Sequence, residues 1–389
     1  MFNKSIDIKI KYENIYGFVF LVFLCVLYAV EEVRIPFEIL FILIFTLYFF
    51  TRRKRLTLFF LWNLLFIIIC ALSIFNSSNI EQSLIETRKL IEWAIVSNLL
   101  IAFVDNKEKL LKIYNYFVIA GTVLLIRLVI RFPISDWLDG RLGDEAFNSN
   151  RIGLYLSISL ICSLYLGFYK KNKIYFLIAI LFASTVLLTG SRKAFIMIVL
   201  GIAILYFINS TKISKKIIWV LTLPILMLLS YFIITNVPSL YDIIGYRVEN
   251  LVSSYLSGSE DYDLSTTVRF GMIDTGISLF MERPIIGHGI ASYEVISGYG
   301  VYAHNNYIEL LVGTGLIGTL LYYSMIIYLI IKLFIYKGKL LGNPILVLLL
   351  LLLVMDYGLV SYNGAVYQLL IAVGFIAIRI LRQTCHTRA

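Results

Sequence analysis

One histidine and several arginines occupy polar segments of a chain that is otherwise strongly apolar. His304 is followed by Asn305 and Asn306 and then by a long apolar run, an order that predicts the start of a helix. A helix N-terminus presents free N–H groups and positive potential, which favour a bound anion and a neutral imidazole. The ordinary pKa of imidazole, about 6.5, suits proton transfer near neutral pH. His304 is therefore a candidate general base, and the alternative is a polar cap on the helix.

Arginine side chains could supply positive charge opposite an anionic leaving group. Arg192 and Lys193 lie in a very short turn between two apolar runs, and Arg247, Arg269 and Arg283 follow in the polar stretch before the histidine. A guanidinium binds pairs of carboxylate or phosphate oxygens through two parallel hydrogen bonds. Because the same stretch also carries eight acidic residues, some of these arginines are expected to form surface ion pairs instead.

Three further motifs have simpler explanations. His288 lies between two glycines, where shaping a turn is a sufficient role. The Asp261–Asp263 stretch matches the DxD pattern of metal-dependent nucleotide-sugar enzymes, although solvated loop acids are the more frequent case. The GxGxxG match at Gly313–Gly318 has no strand before it, so its glycines favour close helix packing rather than dinucleotide binding.

Ionisable residues in or near apolar runs are costly and become candidates for function, or else extend their charge to the membrane interface. They are Glu92, Arg127, Glu309 and Asp356. No metal or cofactor is expected, because the cysteines fall in apolar runs and the tail and the three histidines are scattered.

The composition defines the class of protein that must position these groups. Sixty per cent of the residues are apolar and 15% are charged, and the mean hydropathy is +0.88. A soluble chain could not bury that much apolar surface, so lipid must solvate it. Apolar runs of spanning length recur from Ile15 to the C-terminus. We predict an all-α polytopic membrane protein with about 12 transmembrane helices, forming a single integral membrane domain over residues 1–389.

Charge predicts the orientation of these helices. Of the 34 basic residues, 22 lie at the two termini and in alternate gaps between apolar runs, whereas only four of the 24 acidic residues do. Basic segments stay in the cytoplasm, which explains the net charge of +10 without nucleic acid. Both termini are therefore predicted to be cytoplasmic, in a bacterial inner membrane. Residues 237–304 form a large extracytoplasmic loop in this interpretation.

This loop is expected to contain short helices. Apolar residues recur at helical spacing within it, and they favour a helix in the membrane interface or one packed on the bundle. The stripe consists of Phe270, Ile273, Ile277, Phe280 and Met281, with Met272 and Leu279 off it. No internal repeat is evident, which disfavours a transporter built from duplicated halves.

Several of these motifs together resemble a known family. The Ser191–Arg192 pair, the Arg269 segment, the run Arg283-Pro284-Ile285-Ile286-Gly287-His288-Gly289, and His304-Asn305-Asn306-Tyr307 followed by Gly313–Gly318 resemble the O-antigen ligase and Wzy-type polysaccharide polymerase superfamily. The Asn148-Ser149-Asn150 stretch is similar to an earlier feature of that family. The resemblance covers about residues 148–334 in the right order.

The resemblance implies an enzyme that transfers a glycan from undecaprenyl diphosphate to an acceptor on the outer face of the membrane. His304 would be the base and Arg192 and Arg269 would neutralise the diphosphate, with Arg247 and Arg283 as weaker candidates and no metal. Secondary candidates are Asn305, Asn306, Lys193 and His288. A polymerase of repeat units is favoured; a ligase to the lipid A core and a flippase of lipid-linked glycan are the alternatives. The expected partners are the lipid-linked donor and acceptor, membrane lipid and a chain-length regulator.

Overall fold

The computed structural model describes the backbone of residues 2–51, 57–138, 140–144, 147–210, 212–257, 264–336 and 340–386. Within these ranges the chain forms sixteen α-helices and no strand. In chain order they are α1 Phe2–Ala29, α2 Arg34–Thr51, α3 Leu58–Ser73, α4 Ile80–Phe103, α5 Lys107–Arg131, α6 Ser149–Lys170, α7 Lys173–Leu188, α8 Arg192–Asn209, α9 Ile213–Asn236, α10 Pro238–Leu240, α11 Tyr246–Ser257, α12 Leu264–Glu282, α13 Tyr293–Ile296, α14 Asn306–Ile335, α15 Asn343–Met355 and α16 Ala365–His386. The predicted all-α class is confirmed.

Seven helices in the described ranges are long and apolar enough to cross a membrane. They are Leu58–Asn76, Lys107–Arg131, Ser149–Lys170, Arg192–Asn209, Ile213–Asn236, Asn306–Ile335 and Ala365–Gln383. The apolar helices Asn14–Ala29, Lys173–Leu188 and Asn343–Met355 are shorter. The helix α4 carries four charged residues in its first half, which makes it a poor lipid-facing segment. The predicted number of about twelve spans is not confirmed, and the single domain over 1–389 and the extracytoplasmic loop 237–304 stay predictions.

The described chain divides into two compact units. Unit 1 contains Met1–Lys54, Ala102–Leu205 and Asn236–Ile244, and unit 2 contains Arg55–Ile101, Tyr206–Thr235 and Gly245–Ala389. The first unit therefore holds α1, α2, α5, α6, α7, most of α8 and α10. The second holds α3, most of α4, α9 and α11 to α16.

In unit 1 the largely buried helix α6 packs against α5 and α7, and α5 packs against α1. The close approach of α5 and α6 is visible in a single contact: the Ser159 hydroxyl donates to the Phe117 carbonyl at 2.8 Å. Asn148 caps α6, since its side-chain oxygen accepts from the backbone N–H groups of Asn150 and Arg151. These contacts fix the end of α6 that carries the Asn148–Asn150 motif.

In unit 2 the long helix α14 packs against α3, α12, α15 and α16. It is broken at Gly315, whose φ of 62° and ψ of −164° are not helical. A Cβ at this glycine would collide with the Ile285 backbone, and the conformation itself is one that only glycine adopts readily. The break therefore lets another backbone segment approach α14.

The segment that fills the break is the turn 284–289, which we call the inserted turn. The His288 N–H donates to the Val312 carbonyl at 2.7 Å and the Gly289 N–H to the Gly313 carbonyl at 3.0 Å. In return the Leu316 N–H donates to the Pro284 carbonyl at 2.8 Å. The glycines of 313–318 thus allow this turn to pack closely against α14. They were predicted to serve close packing of helices, and the element that packs there is a turn.

The helix α12 exists as predicted, and part of the predicted stripe packs, since Ile273 and Phe280 lie against a buried cluster that contains Met272. Met272 is buried against Tyr293, Ile308 and Val312, whereas Met281 of the stripe is exposed. Tyr293 reinforces this packing by donating its hydroxyl to the Met272 carbonyl at 2.6 Å. The helical period was predicted correctly and the buried side only in part, because α13 and α14 determine which side of α12 is covered.

Candidate active site

Arg192 and Lys193 begin α8 in unit 1, directly after the turn that follows α7. Gly190 in this turn has a φ of 58°, and a Cβ there would lie 2.5 Å from the Ile243 carbonyl oxygen. The Ser191 hydroxyl donates to Asn150 Oδ1 at 2.9 Å. Unit 1 therefore brings the Ser191–Arg192 pair and the Asn148–Asn150 motif together, at the N-termini of α8 and α6.

Arg141 fixes the other side of the same turn. Its Nε donates to the Thr189 carbonyl at 3.1 Å, and the Leu142 N–H donates to the Leu188 carbonyl at 2.9 Å. Two positive side chains, Arg192 and Lys193, therefore extend from a turn whose backbone is held at several points. Such a site suits a bound anion, because the N–H groups at the start of α8 add positive potential.

His304 precedes α14 in unit 2, in the left-handed conformation with a φ of 52°. Asn305 is the N-cap residue, and its Oδ1 accepts from the N–H groups of Tyr307 and Ile308 at 2.9 and 3.1 Å. The capping role that was the alternative for His304 thus belongs to Asn305. The half-buried imidazole is left beside the helix start, as the sequence predicted.

Tyr302 connects His304 with Arg269. The rings of Tyr302 and His304 lie 4.2 Å apart between centroids, at 51°. Burial raises the pKa of Tyr302, and the Arg269 guanidinium on α12 lowers it, so the charge of Arg269 reaches this hydroxyl. Arg269 and His304, far apart in sequence, therefore both lie in the surroundings of one tyrosine.

Glu309 holds the segment between Tyr302 and His304 in place. Its Oε2 accepts the backbone N–H of Ala303 at 2.8 Å, and the residue is only 5% exposed. This is a reciprocal cap of the first turn of α14, with Asn305 serving the helix and Glu309 serving the residues before it. Glu309, one of the ionisable residues noted in the sequence, thus positions the turn that carries His304.

Asn306 is buried in a network with the segment after α15. Its backbone N–H donates to the Asp356 carbonyl at 2.7 Å, and its Nδ2 donates to the Tyr323 hydroxyl at 2.9 Å. Its Oδ1 accepts from the N–H groups of Ser361 and Tyr362 at 2.9 and 3.0 Å. Asn306 therefore fixes the first residue of α14 to 356–362, and its contacts are those of a structural residue.

The remaining candidates are His288, Arg283 and Arg247 in unit 2. His288 is 8% exposed, and its Nε2 lies 2.7 Å from the Leu279 carbonyl oxygen, so it secures the inserted turn. Arg283 is exposed at the C-terminal end of α12, and Arg247 lies near the start of α11.

Other ionisable residues have structural partners. Glu92 pairs with Arg88 on the same helix at 3.1 Å, and Arg127 lies over the Phe147 ring at 5.9 Å. The Asp261–Asp263 stretch lies outside the described residues. Within the described part of the chain, no group of three or more histidine, cysteine, aspartate or glutamate side chains could hold a metal ion.

Tyr302 was missed by sequence reasoning, although it lies two residues before His304. Its segment reads Ser297-Gly298-Tyr299-Gly300-Val301-Tyr302, and glycines alternating with aromatic residues before a catalytic candidate were the available signal. The Ala303 N–H donates a hydrogen bond to Glu309, and this bond helps to position Tyr302. No sequence pattern predicted it.

Residues 177–323 match the family model described as O-antigen ligase. The match covers both α7–α8 and the helices from α12 to the first half of α14, and it confirms the resemblance to the O-antigen ligase and Wzy-type superfamily. No curated protein matches the chain. The family match and the apolar helices together indicate a membrane enzyme of glycosyl transfer.

Proposed function

We propose that this protein polymerises undecaprenyl-diphosphate-linked oligosaccharide repeat units into O-antigen or capsular polysaccharide, on the outer face of the bacterial inner membrane. One observation carries the proposal: His304 lies against Tyr302, whose hydroxyl is within reach of the Arg269 charge. A base beside a source of positive charge is the pair that glycosyl transfer from a diphosphate needs. The family match supports the reaction class.

The chemistry is an in-line displacement at the anomeric carbon of the donor. An acceptor hydroxyl oxygen forms the new C–O bond, and its proton passes to the His304 imidazole. The bond between the anomeric carbon and the phosphate oxygen breaks, and undecaprenyl diphosphate leaves with the bonding electrons. Arg192 and Arg269 neutralise the charge that develops on the diphosphate. Because the nucleophile enters opposite the leaving group, the anomeric configuration inverts.

Transfer to the lipid A core is the second candidate, since the matching family is described by its ligase activity. The two reactions share the donor and the chemistry and differ only in the acceptor. We favour the polymerase, because the chain has no feature specific to a ligase. A flippase would place charged groups through the core of the helix bundle, whereas the candidate charges here lie at helix ends.

The test of the function is the glycan pattern of a deletion strain. Without a polymerase, single repeat units are still attached to their acceptor; without a ligase, none are attached; without a flippase, lipid-linked units accumulate on the cytoplasmic side. We expect single attached repeats, with ladders restored by the intact gene. The absence of any attached repeat would replace the polymerase with the ligase.

The mechanism predicts that His304→Ala inserts normally and loses activity about 100-fold or more, because the base is missing. The purified unsubstituted enzyme should keep its rate in excess EDTA, since arginines neutralise the leaving group. Polymer ladders and a rate assay with and without chelator measure both effects. Activity that collapses with EDTA and returns with magnesium or manganese would contradict the mechanism and direct attention to Asp261 and Asp263.

A further inference from the structure

The segment 297–303 before His304 presents aromatic side chains to open space. Tyr299 is 37% exposed and Tyr302 is 48% exposed. A Cβ built on Gly298 or Gly300 would meet nothing within 4 Å, so protein atoms do not crowd these two positions. Two partly exposed tyrosines therefore lie in the segment before the candidate base, and Tyr302 contacts it.

The position of this segment is fixed rather than arbitrary. A Cβ on Gly271 of α12 would lie 2.8 Å from the Tyr299 hydroxyl, so this tyrosine lies over a helix position where only a hydrogen leaves room. Tyr302 is held through the Ala303 N–H, which Glu309 binds at 2.8 Å. The two rings are thus supported by α12 and α14, the helices that carry or follow Arg269 and His304.

The chemistry around Tyr302 combines an apolar ring face with a charged edge. The ring contacts the His304 imidazole at 4.2 Å, while Arg269 and Glu309 act electrostatically on the hydroxyl. A pyranose has a matching construction, with a face of C–H groups and a rim of hydroxyls. Binding sites of this kind combine aromatic walls with a few placed polar groups.

We propose that Tyr302, assisted by Tyr299, forms the platform on which a pyranose ring of the acceptor glycan stacks, so that the attacking hydroxyl meets His304. The proposal rests on the proposed function and adds to it the residues that bind the acceptor. It assigns the acceptor to the 297–303 segment and leaves the donor diphosphate to the arginines. A tyrosine that served only as an anchor in the membrane interface would bind no sugar.

The first experiment measures binding without turnover. The full-length His304→Ala protein in lipid nanodiscs is titrated with the lipid-free repeat-unit oligosaccharide prepared from the strain's own polysaccharide, followed by saturation-transfer NMR. Adding Tyr302→Leu, which keeps an apolar side chain without a ring, should weaken binding about tenfold. Adding Tyr302→Phe should leave the affinity within about twofold.

Tyr206→Ala is the control, because Tyr206 is a tyrosine as exposed as Tyr299, at 37%, near the opposite end of α8 from Arg192. It should not change binding. Unchanged affinity in Tyr302→Leu, or an equal loss in Tyr206→Ala, would overturn the platform and leave Tyr302 as an interface anchor. Thermal unfolding of each variant identifies any loss of affinity that comes from misfolding. If Tyr302→Leu is misfolded, the affinity of Tyr302→Phe tests the platform instead, because this variant keeps the ring.

The second experiment separates the platform from the function on which it rests. In the otherwise unsubstituted enzyme, Tyr302→Leu should raise the acceptor KM about tenfold and leave kcat and the donor KM nearly unchanged. A fall in kcat alone would overturn the platform while the proposed function stands. Normal ladders from His304→Ala would instead reject the proposed mechanism, and oligosaccharide binding to Tyr302 would still be measurable in that variant.

Discussion

Arg192 and Arg269 matter for a diphosphate through geometry as well as charge. A guanidinium presents a rigid fork of N–H donors that matches two phosphate oxygens, whereas an ammonium is a point charge on a flexible stem. We therefore expect Arg192→Lys and Arg269→Lys each to lower the rate about 10- to 100-fold, the amount that a charged hydrogen bond contributes. Polymer ladders at normal expression and rates of purified protein measure the effect.

The control for the arginine substitutions is Arg88→Lys. Arg88 is exposed on α4 and pairs with Glu92 on the same helix, where lysine can make an equivalent surface pair. Its rate should be close to that of the unsubstituted enzyme. Near-normal rates in both site variants would leave Arg192 and Arg269 with only a general electrostatic role.

The elements that position His304 depend on one glycine in the middle of α14. Gly315→Ala should destabilise the fold by about 1–3 kcal/mol or more, because the backbone conformation is strained for any other residue and the added methyl collides with Ile285. Gly313→Ala is the matched substitution two residues earlier, where the nearest atom would be Ile290 Cα at 3.3 Å. Unfolding curves in detergent compare the two variants.

We expect Gly315→Ala to lose activity together with stability, since a shifted inserted turn also shifts the start of α14. Gly313→Ala should lose much less of both. If the two substitutions were equally tolerated, the break at Gly315 would not be needed to seat the turn 284–289.

The sequence predicted those elements whose signals are local. The start of α14 was found because Asn305 and Asn306 precede an unbroken apolar run. The burial of Met272, which lies off the predicted stripe of α12, was not predicted, because Met272 is covered by Tyr293 and Ile308, residues outside α12. Two long-range features could not be predicted from sequence patterns either, because each joins segments distant in the chain. They are the approach of Arg269 to Tyr302 and the hydrogen bonds between residues 284–289 and α14.

At the scale of the whole molecule, the distribution of basic residues predicts the orientation in the membrane. In a cysteine-free background, Ser278→Cys on α12 should react with an impermeant thiol reagent added to intact cells from outside. Asn172→Cys, in the basic segment between α6 and α7, should react only after lysis. Both positions are exposed, so accessibility within the protein does not decide the outcome.

The reverse labelling pattern would overturn the orientation. His304 and the arginines would then face the cytoplasm, where lipid-linked repeat units are assembled rather than polymerised. The proposed function would fail with it, whereas the helical fold and the family match would be unaffected.

The inserted turn also has a mechanical consequence for unit 2. Hydrogen bonds join residues 284–289 to 312–317, and the turn directly follows α12. Backbone hydrogen bonds therefore connect the end of α12, through the inserted turn, to the first half of α14. Arg269 lies on α12, and His304 lies just before the first residues of α14. Because these hydrogen bonds join the two helices, we expect a displacement of either helix to move Arg269 and His304 together.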